Sequence, residues 1–508
     1  MRAMARQTGR FAIIEQFLAD GMNHMFGNPG TVEQGFLDAV SDYPKMKYIL
    51  ALQESVAVTM ADGYARATQR PTVVQIHSTP GLGNAIGALF QAKRGHSPLV
   101  VIGGDAGIKY MGMDAQMAGD LVAFAAPVTK WSTMVMHPAS LLRVLRRAVK
   151  IASTPPMGPV YVCLPADVLD APSEEPVRPT SRLLTRVTPT ASAVREAAEM
   201  LAAAQTPMIF AGDGVAYSGA QDELARVAEL LGAEVWEADA GEVNMSYRHP
   251  LYQGMTGHMF GYQSRPITTR GDVNLVCGTY MLPEVFPELG GIFAPGARCI
   301  HVDLNTHEIA KNHPVDVGML GDPRSALKAL AEALEAALSD AQRQTPRQRL
   351  ASLARVKEEK QARAREEDAR LDGVVPLHMA PFARELVRRL PEDAVIFDEA
   401  LTSSPPLTHY LQPAVPGNYF LTRGGSLGVG LTGAIGAKLA NPCSSTWTRS
   451  GRSAAWPVTI TRCASTCRAR PSASTGSPAP WACRPCASRS RRRSPLPSSR
   501  RWRARGRS

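Results

Sequence analysis

The chain has 508 residues, of which 44% are hydrophobic and 20% are charged. This composition is typical of a folded globular protein and excludes a disordered or fibrous one. At roughly 150 residues per domain, the length predicts about three domains. The formal net charge of +11 belongs to the end of the chain, because residues 443–508 contain 15 Arg and no Lys, Asp or Glu. Residues 1–442 are slightly acidic, with 41 basic and 45 acidic side chains, and nothing there favours binding to nucleic acid.

The cysteine and hydropathy patterns exclude several further classes of protein. Three scattered cysteines in residues 1–442 are no disulfide framework, so we expect a cytoplasmic protein. No stretch of 18 or more apolar residues exists, and no membrane span is predicted. The apolar run at 11–18 is interrupted by Glu15, which predicts a helix rather than a signal peptide.

Residues 1–170 alternate helical and strand patterns. Apolar residues recur at helical spacing over 11–18 and 36–40, and short runs rich in β-branched residues follow. The strand-like runs are TVVQI (72–76), PLVVIGG (98–104) and PVYVCLP (159–165), with the helical pattern NAIGALFQAK (84–93) between the first two. Strand–helix–strand units of this length predict a doubly wound α/β domain. The polar, proline-containing residues 171–188 are interpreted as a linker.

The remainder of the main body repeats this organisation. Strand-like runs at 207–214, 233–238, 272–278 and 297–305 predict a central α/β domain over residues 189–338. Residues 339–375 have the composition of a solvated helical linker, and a third α/β domain starts at residue 376 and continues to 442. The sequence thus predicts an α/β fold of three doubly wound parallel-sheet domains, the third of them incomplete.

Three segments carry candidate chemistry: GNPGTVE (27–33), LQESVAVTMADGYAR (52–66) and IHSTPGLGNAIGAL (76–89). Glu54 enters a helix of small and apolar residues that can hold a carboxylate in a buried setting. The alternative for Glu54 is a surface partner of the helix dipole. His77 ends a strand that leads into a Gly-rich turn, where an imidazole can donate and accept a proton near neutral pH. The alternative for His77 is a hydrogen-bonded turn residue.

These three segments, in this order, resemble the pyrimidine-binding domain of thiamine diphosphate enzymes, the family of benzoylformate decarboxylase, pyruvate decarboxylase and acetolactate synthase. The similarity continues through GPVYVCLPADV (158–168), DEALTSS (398–404) and GNYFLTRGGSLGVGLTGAIGAKLANP (417–442), and so covers nearly all of residues 10–442. Benzoylformate decarboxylase is the most similar group in its GNPG turn, its single strand-end His and the start of its third domain. The three domains are accordingly interpreted as pyrimidine-binding, central and diphosphate-binding.

The resemblance implies a role for each matching residue. Glu54 is expected to hydrogen-bond the pyrimidine ring of thiamine diphosphate, and His77 to exchange protons near the substrate carbonyl. Thr31 matches a residue that contacts the substrate carboxylate, although a turn-capping Thr is an equally good account. The other implied cofactor contacts are Pro29, Gly30, Thr402, Ser403, Gly425, Ser426 and Leu427.

The reaction implied by the resemblance is non-oxidative decarboxylation of a 2-oxo acid, in which the cofactor supplies the carbanion that attacks the ketone and an aldehyde is released. Carboligation of the acetolactate synthase kind is an alternative. It is admitted because residues 278–291 lack the second active-site His that benzoylformate decarboxylase carries in its central domain. The family places each site between two subunits, so a homodimer or homotetramer is implied.

The sequence departs from the family at the metal site. The family holds the diphosphate through Mg²⁺, bound by the Asp of a GDG motif and a later Asn, because this hard cation prefers oxygen ligands. That motif should follow the ANP at 440–442 and is absent, so no metal ligand is predicted, although Mg²⁺ is expected from the family. Asp213 and Asn244 imitate the motif, but they follow the first strand of the central domain, where the family has an ordinary turn. An inactive family member without a metal site is therefore a third alternative.

Residues 443–508 consist almost entirely of Arg, Ser, Pro, Ala, Thr, Cys, Trp and Gly. We interpret this segment as a GC-rich gene read out of frame after a frameshift, and we expect it to be disordered. Two cysteine pairs (463 and 467, 483 and 486) have a spacing similar to that of zinc ribbons, and Arg clusters at 491–493 and 500–507 could bind nucleic acid. The absence of His, Lys and apolar packing residues argues against both functions.

Overall fold

The first parallel sheet and its helices lie at the start of the chain. The computed structural model describes residues 7–281 and 283–441. The elements up to residue 173 are β1 (Gln7–Thr8), α1 (Gly9–Ala19), β2 (His24–Gly27), α2 (Gln34–Val40), β3 (Lys47–Leu50), α3 (Glu54–Thr68), β4 (Thr72–His77), α4 (Ser78–Arg94), β5 (Leu99–Asp105), α5 (Leu121–Ala125), β6 (Trp131–Met134), α6 (Leu141–Ser153), β7 (Val160–Pro165), α7 (Ala166–Asp170) and β8 (Pro172–Ser173). Six strands form the sheet in the order β3-β2-β4-β5-β7-β6, and every pairing in it is parallel. Strands β1 and β8 form a short antiparallel pair.

The central strands of this sheet are buried on both faces, which explains their continuous apolar runs. Helices α1 and α6 cover one face through residues such as Phe17 and Leu145. Helices α3 and α4 cover the other face through residues such as Ala61 and Leu89. The sheet is thus a doubly wound layer with a hydrophobic core on each side.

A second parallel sheet and a smaller third one follow. The second region contains α8 (Ala191–Ala202), β9 (Pro207–Ala211), α9 (Asp213–Ser218), α10 (Gln221–Leu231), β10 (Glu234–Glu237), β11 (Tyr252–Met255), α11 (Gly261–Thr268), β12 (Val273–Cys277), β13 (Arg298–Asp303), β14 (Val317–Leu320) and α12 (Pro323–Ala337). Its strand order is β11-β10-β9-β12-β13-β14, again with parallel pairings throughout. The third region contains α13 (Asp340–Ala369), α14 (Met379–Arg389), β15 (Ile396–Asp398), α15 (Ser404–Leu411), β16 (Tyr419–Leu421) and α16 (Val429–Ala440), with β15 parallel to β16.

The predicted α/β fold class is confirmed, since two six-stranded parallel sheets are flanked by helices. Up to residue 441 the third sheet has two strands. The exact domain limits stay a prediction, and the interpretation of residues 443–508 lies outside the described residues. Among the described helices, none is long and apolar enough to cross a membrane.

One local prediction is wrong. The sequence predicts a Gly-rich turn after His77, whereas helix α4 begins directly at Ser78. Ser78 has a φ of +45°, so a single left-handed residue redirects the chain from strand to helix. The glycines of this segment therefore lie inside a helix, and His77 is the residue that precedes its first turn.

Arg66 joins helix α3 to the second and third regions. Its buried guanidinium donates to Glu242 Oε1 at 2.9 Å, to the Gly241 carbonyl at 2.6 Å and to the Leu421 carbonyl at 3.0 Å. It also lies over the Phe420 ring, 5.2 Å from the centroid. One side chain thereby holds together parts of the chain that are more than 350 residues apart.

Candidate active site

The candidate site lies where neighbouring strands of the first sheet end. Strands β3, β2, β4 and β5 are adjacent and parallel, so their carboxyl ends meet at one edge. The chain passes from β3 to β4 across β2, and ligands of open α/β sheets bind where the strand order reverses in this way. Residues 28–33 follow β2, and Glu54 follows β3. His77 is the last residue of β4, and Gly104 is the penultimate residue of β5. Topology therefore brings together residues that are far apart in sequence.

Glu54 is the first residue of α3, and only 7% of it is exposed. Its Oε1 accepts a hydrogen bond from Asn28 Nδ2 at 2.9 Å, and its Oε2 accepts one from Asn84 Nδ2 at 3.0 Å. Gln53 caps the helix with its own side chain, so Glu54 is not needed for that purpose. A Cβ at Gly81 would lie 3.3 Å from Glu54 Oε1, which shows how closely α4 approaches the carboxylate. The alternative of an exposed dipole partner is wrong.

His77 forms a pair with Glu33. Its Nδ1 lies 2.8 Å from Glu33 Oε2, which also accepts from the Gly30 N–H at 2.9 Å. The other oxygen, Oε1, accepts from the Gly104 N–H at 3.0 Å. With Glu33 as the acceptor, the imidazole hydrogen lies on Nδ1 and Nε2 remains for proton exchange.

The exposures of the pair fit that assignment. Glu33 is 3% exposed, whereas the His77 side chain is 15% exposed and reaches the surface of the sheet edge. Two glycines make the arrangement possible. A Cβ at Gly30 would lie 2.2 Å from His77 Cγ, and one at Gly104 would lie 2.1 Å from Glu33 Oε1. Any larger residue at either position would displace the pair.

The turn between β2 and α2 supplies the other predicted residues of this half. Pro29 and Gly30 are partly buried, and Thr31 is exposed at the tip. The turn carries Asn28 to Glu54 and Gly30 to the His77 ring. The structure thus brings Pro29, Gly30, Thr31, Glu54 and His77 to one edge.

The loop that precedes α16 packs on α4. Ser426 Oγ donates to the Gly87 carbonyl at 2.9 Å, and the Gly424 N–H donates to Gln91 Oε1. Helix α4 also carries Asn84, one turn earlier. Of the predicted loop residues, Ser426 is therefore attached to the helix that also carries Asn84, a partner of Glu54.

The other predicted residues of the third region face outward. Thr402 and Ser403 lie in a 3₁₀ turn (Leu401–Ser403) after β15, and Leu427, after Gly425, is 77% exposed. Within residues 7–281 and 283–441, no hydrogen bond connects them to Glu54 or His77.

A second carboxylate organises the start of α16. The N–H groups of Gly428 and Gly430 each donate to Glu399 at 2.5 Å. A negative charge at a helix N-terminus is stabilising. Glu399 lies in the DEALTSS segment (398–404), and no local pattern in that segment indicates its role at the helix start.

Asp213, which imitates the metal-binding Asp of the family, is engaged by groups of the protein itself. Asp213 accepts from the Gly241 N–H at 2.9 Å and from Asn244 Nδ2 at 3.3 Å, and it pairs with Arg423 at 3.2 Å. These partners explain Asp213 as a structural carboxylate. In the described part of the chain, no group of three or more His, Cys, Asp or Glu side chains could hold a metal ion.

The pyrimidine half of thiamine diphosphate does fit. Glu54 offers a buried carboxylate in which each oxygen has accepted one hydrogen bond and retains a lone pair for a ring N–H. The side of α4 that faces it at Gly81 has no side chain. This donor and acceptor set suits a flat heterocycle.

Three polar residues that organise the site were missed at the sequence level. Asn28, Glu33 and Asn84 lie in the segments that were singled out, but none was assigned a role. Residues of these types are common in turns and on helix surfaces. The available signal was their position just beyond strand ends, which becomes informative once the strand order is known.

Together, the fold and site define an α/β protein with a candidate site at the point where the strand order of its first sheet reverses. The model "Thiamine pyrophosphate enzyme, N-terminal TPP binding domain" matches residues 7–124, and the model "Thiamine pyrophosphate enzyme, central domain" matches residues 194–330. The "Probable acetolactate synthase large subunit" of Methanocaldococcus jannaschii is 30% identical over 448 residues, which are 85% of this chain and 74% of that protein. The chain therefore belongs to the thiamine pyrophosphate enzyme family.

Two further relatives lie on the decarboxylase side of the family. The benzoylformate decarboxylase of Pseudomonas aeruginosa is 29% identical over 427 residues, which are 83% of this chain and 76% of that protein. The solved structure of a thiamine diphosphate-dependent 4-hydroxybenzoylformate decarboxylase from Rhodococcus jostii RHA1 matches with a TM-score of 0.73 and 26% identity, covering 86% of this chain and 79% of that one. The chain is thus similar to both decarboxylases and acetolactate synthases.

Proposed function

We propose that this chain catalyses the thiamine diphosphate-dependent, non-oxidative decarboxylation of a 2-oxo acid. The observation that carries the proposal is the Glu33–His77 pair at the same sheet edge as Glu54, which two amides hold in place. The similarity to two decarboxylases of aryl 2-oxo acids favours an aromatic substrate.

Thiamine diphosphate, when bound, supplies the carbon nucleophile and takes up the electrons that remain when carbon dioxide leaves. Glu54 accepts a hydrogen bond from the pyrimidine, while Asn28 and Asn84 fix the orientation of its carboxylate. Pro29 and Gly30 border the same place. Thr402, Ser403, Gly425, Ser426 and Leu427 are the proposed contacts to the remainder of the cofactor.

His77 and Thr31 are the proposed substrate contacts. Glu33 holds Nδ1 of His77, so Nε2 exchanges a proton with the substrate oxygen or the product carbon. The exposed Thr31 hydroxyl donates to the substrate carboxylate. Thr31 thus binds the substrate carboxylate, while His77 transfers the proton.

We also propose a homodimer or homotetramer. Thr402 and Leu427 face solvent in the single chain and form no hydrogen bond to the described Glu54 carboxylate. A second subunit can complete the site by covering these residues. Sedimentation equilibrium would show dimers or tetramers if this is right, and a monomer would contradict it.

A carboligase is the second candidate, because acetolactate synthases are relatives at a similar identity. The deciding experiment incubates the purified full chain with thiamine diphosphate, Mg²⁺ and either benzoylformate or pyruvate. An aldehyde product supports decarboxylation, and a 2-hydroxyketone supports carboligation. Glu54→Gln is the control and should abolish either activity. If the chain neither binds the cofactor by calorimetry nor turns over either acid, it is an inactive family member.

A further inference from the structure

A small cavity borders the Glu33 carboxylate beside the first sheet. Its lining residues are Glu33, Phe36, Gln75, Ile102, Gly104, Leu164 and Leu169. The space open to the centre of a water molecule is about 10 Å³. That volume corresponds to roughly one water molecule. A water is expected only where polar partners exist, and this lining includes two polar side chains.

Gln75 supplies an unused donor to this cavity. It is 1% exposed, and its Oε1 accepts from the Tyr48 hydroxyl at 2.5 Å. Its Nε2 has no hydrogen-bond partner in the described part of the molecule. Buried amide groups are rarely left unpaired in native proteins, and an ordered water is the usual remedy.

The Tyr48–Gln75 contact is built into three adjacent strands. A Cβ at Gly27 would lie 2.3 Å from the Tyr48 hydroxyl oxygen and 2.8 Å from Gln75 Oε1. Gly27 and Gln75 are register partners in the β2–β4 pairing. The glycine therefore leaves the room that the contact between the Tyr48 hydroxyl and Gln75 Oε1 needs.

We propose that one water occupies this cavity, accepts a hydrogen bond from Gln75 Nε2 and donates one to the Glu33 carboxylate. Gln75 is then a positioning residue that acts on His77 through the water and Glu33. The resulting series of hydrogen bonds runs from Tyr48 through Gln75 and the water to Glu33 and His77. It adds a fourth donor to the three that Glu33 already has.

The other titratable groups around Glu33 are poor candidates for this task. Burial, with the charge of Glu33 as a smaller cause, raises the pKa of Tyr48 and Tyr161, and it raises that of Cys163 to about 12. All three stay neutral at physiological pH. The buried Asp105 carboxylate is an acceptor and binds the Ala106 N–H. In the described part of the molecule, none of these four side chains is hydrogen-bonded to Glu33.

The first test is a crystal structure of the full chain at a resolution that shows ordered waters. The expected result is a water within about 2.7–3.2 Å of both Gln75 Nε2 and a Glu33 oxygen. An empty cavity, or a Gln75 Nε2 bonded to a protein atom, would overturn the inference. This test keeps it falsifiable even if variants at Gln75 do not fold.

The second test compares Gln75→Met with Gln91→Met. Gln91 is an equally buried glutamine with an unpartnered Nε2, but it lies on α4 beside Gly424. In ¹⁵N-histidine-labelled protein without cofactor, the low-field His77 Nδ1–H signal, assigned with His77→Gln, should broaden through faster exchange only in Gln75→Met. A signal identical to that of the unmodified chain would overturn the inference, because a purely structural Gln75 would change stability alone.

The kinetic arm rests on the proposed function. Loss of the water-mediated contact loosens the Glu33–His77 pair, so kcat should fall in Gln75→Met while KM changes little. An unchanged kcat would count against the inference. If the unmodified chain shows no turnover, the proposed function fails, while the crystallographic and spectroscopic arms still decide the water.

Discussion

The Glu33 carboxylate has hydrogen-bond partners in two parts of the fold. It accepts from the Gly30 N–H within its own turn, and it holds the imidazole of His77 on the neighbouring strand. A substitution that keeps its size but changes its donor and acceptor character should therefore affect the tautomer of His77 more than the fold. Such a substitution therefore tests the chemical role of the Glu33–His77 pair separately from its structural role.

We predict that Glu33→Gln lowers kcat/KM for the 2-oxo acid by about 10²–10⁴-fold. The amide can donate to Nδ1, which favours the opposite imidazole tautomer. Glu229→Gln is a matched control, since Glu229 contacts His249 at 3.1 Å in the second region. Steady-state kinetics that leave Glu33→Gln within threefold of the control would refute a role for the pair.

Asn84 offers a test of cofactor binding without a large effect on stability. Its side chain donates to Glu54 at 3.0 Å, but the residue is exposed. A hydrogen bond to a charged group contributes roughly 1.5–3 kcal/mol. We predict that Asn84→Ala weakens thiamine diphosphate binding by about tenfold or more, measured by calorimetry, with Tm nearly unchanged. A lower Tm with unaltered affinity would mean that Asn84 serves the fold instead.

At this scale the sequence could predict Glu54 and His77 but not their partners. Both lie at a junction between a strand and a helix, where the change in the hydrophobic pattern marks the position in the sequence. Glu33 and Asn84 acquire their roles from neighbouring elements 44 and 30 residues away in sequence. No local pattern encodes such a pairing, because it depends on which strands are adjacent.

Between elements, the closest approach is that of helices α3 and α16. A Cβ at Gly436 would lie 1.9 Å from the Met60 carbonyl oxygen, and one at Gly63 would lie 2.0 Å from that of Gly433. The two helices therefore touch through their backbones. Helix α3 begins at Glu54, so this contact also fixes the position of the candidate catalytic carboxylate.

We predict that Gly436→Ala destabilises the protein by about 1–3 kcal/mol, the usual cost of overpacking. Helix propensity alone predicts the opposite sign, a gain of about 1 kcal/mol. Gly290→Ala is the control, because a Cβ there would meet nothing within 4 Å. Urea unfolding distinguishes the two effects, and a stabilised Gly436→Ala would show that the helices can separate freely.

The elements that the sequence predicted correctly are mainly buried ones. The runs at β4, β5 and β7 are buried along nearly their whole length and rich in β-branched residues. Strands β3, β6, β11 and β14, which are the four edges of the two large sheets, were not predicted. The buried interior strand β2 was not predicted either. Edge strands contain partly or fully exposed residues, as in the Lys47–Leu50 strand, so their composition resembles that of loops.

At the scale of the whole molecule, buried charges connect the regions. Arg66 donates to Glu242 and to the Leu421 carbonyl from inside the protein. Removing one partner of a buried ion pair leaves an uncompensated charge and costs about 3–5 kcal/mol. We predict a loss of that size for Arg66→Met, with part of it recovered in Arg66→Met/Glu242→Gln. A denaturation double-mutant cycle measures the coupling, and additive losses would show that the pair does not act as a unit.

Glu237 makes the stability of the whole protein depend on pH. It is fully buried and accepts hydrogen bonds from the hydroxyls of Tyr247 at 3.0 Å and Tyr252 at 2.9 Å. Burial, reinforced by the charge of Asp213, raises its pKa from 4.5 to about 7. Between these two values the folded protein retains a proton that the unfolded chain has released. The stabilisation is therefore complete below pH 4.5 and is lost as the pH rises through about 7.

We predict that the free energy of unfolding contains a contribution of about 3 kcal/mol from Glu237 that disappears as the pH rises from about 4.5 to about 7. Glu237→Gln stays neutral at every pH, so the difference between this variant and the unmodified chain isolates the contribution from other titrating groups. Glu234→Gln, on the same strand but paired with Arg270 near the surface, should retain the pH dependence. Urea unfolding at several pH values measures all three proteins.

Tyr247 also donates its backbone N–H to the Pro413 carbonyl. Ionisation of Glu237 should therefore loosen the third region first, and hydrogen exchange near β16 should accelerate in the same pH interval.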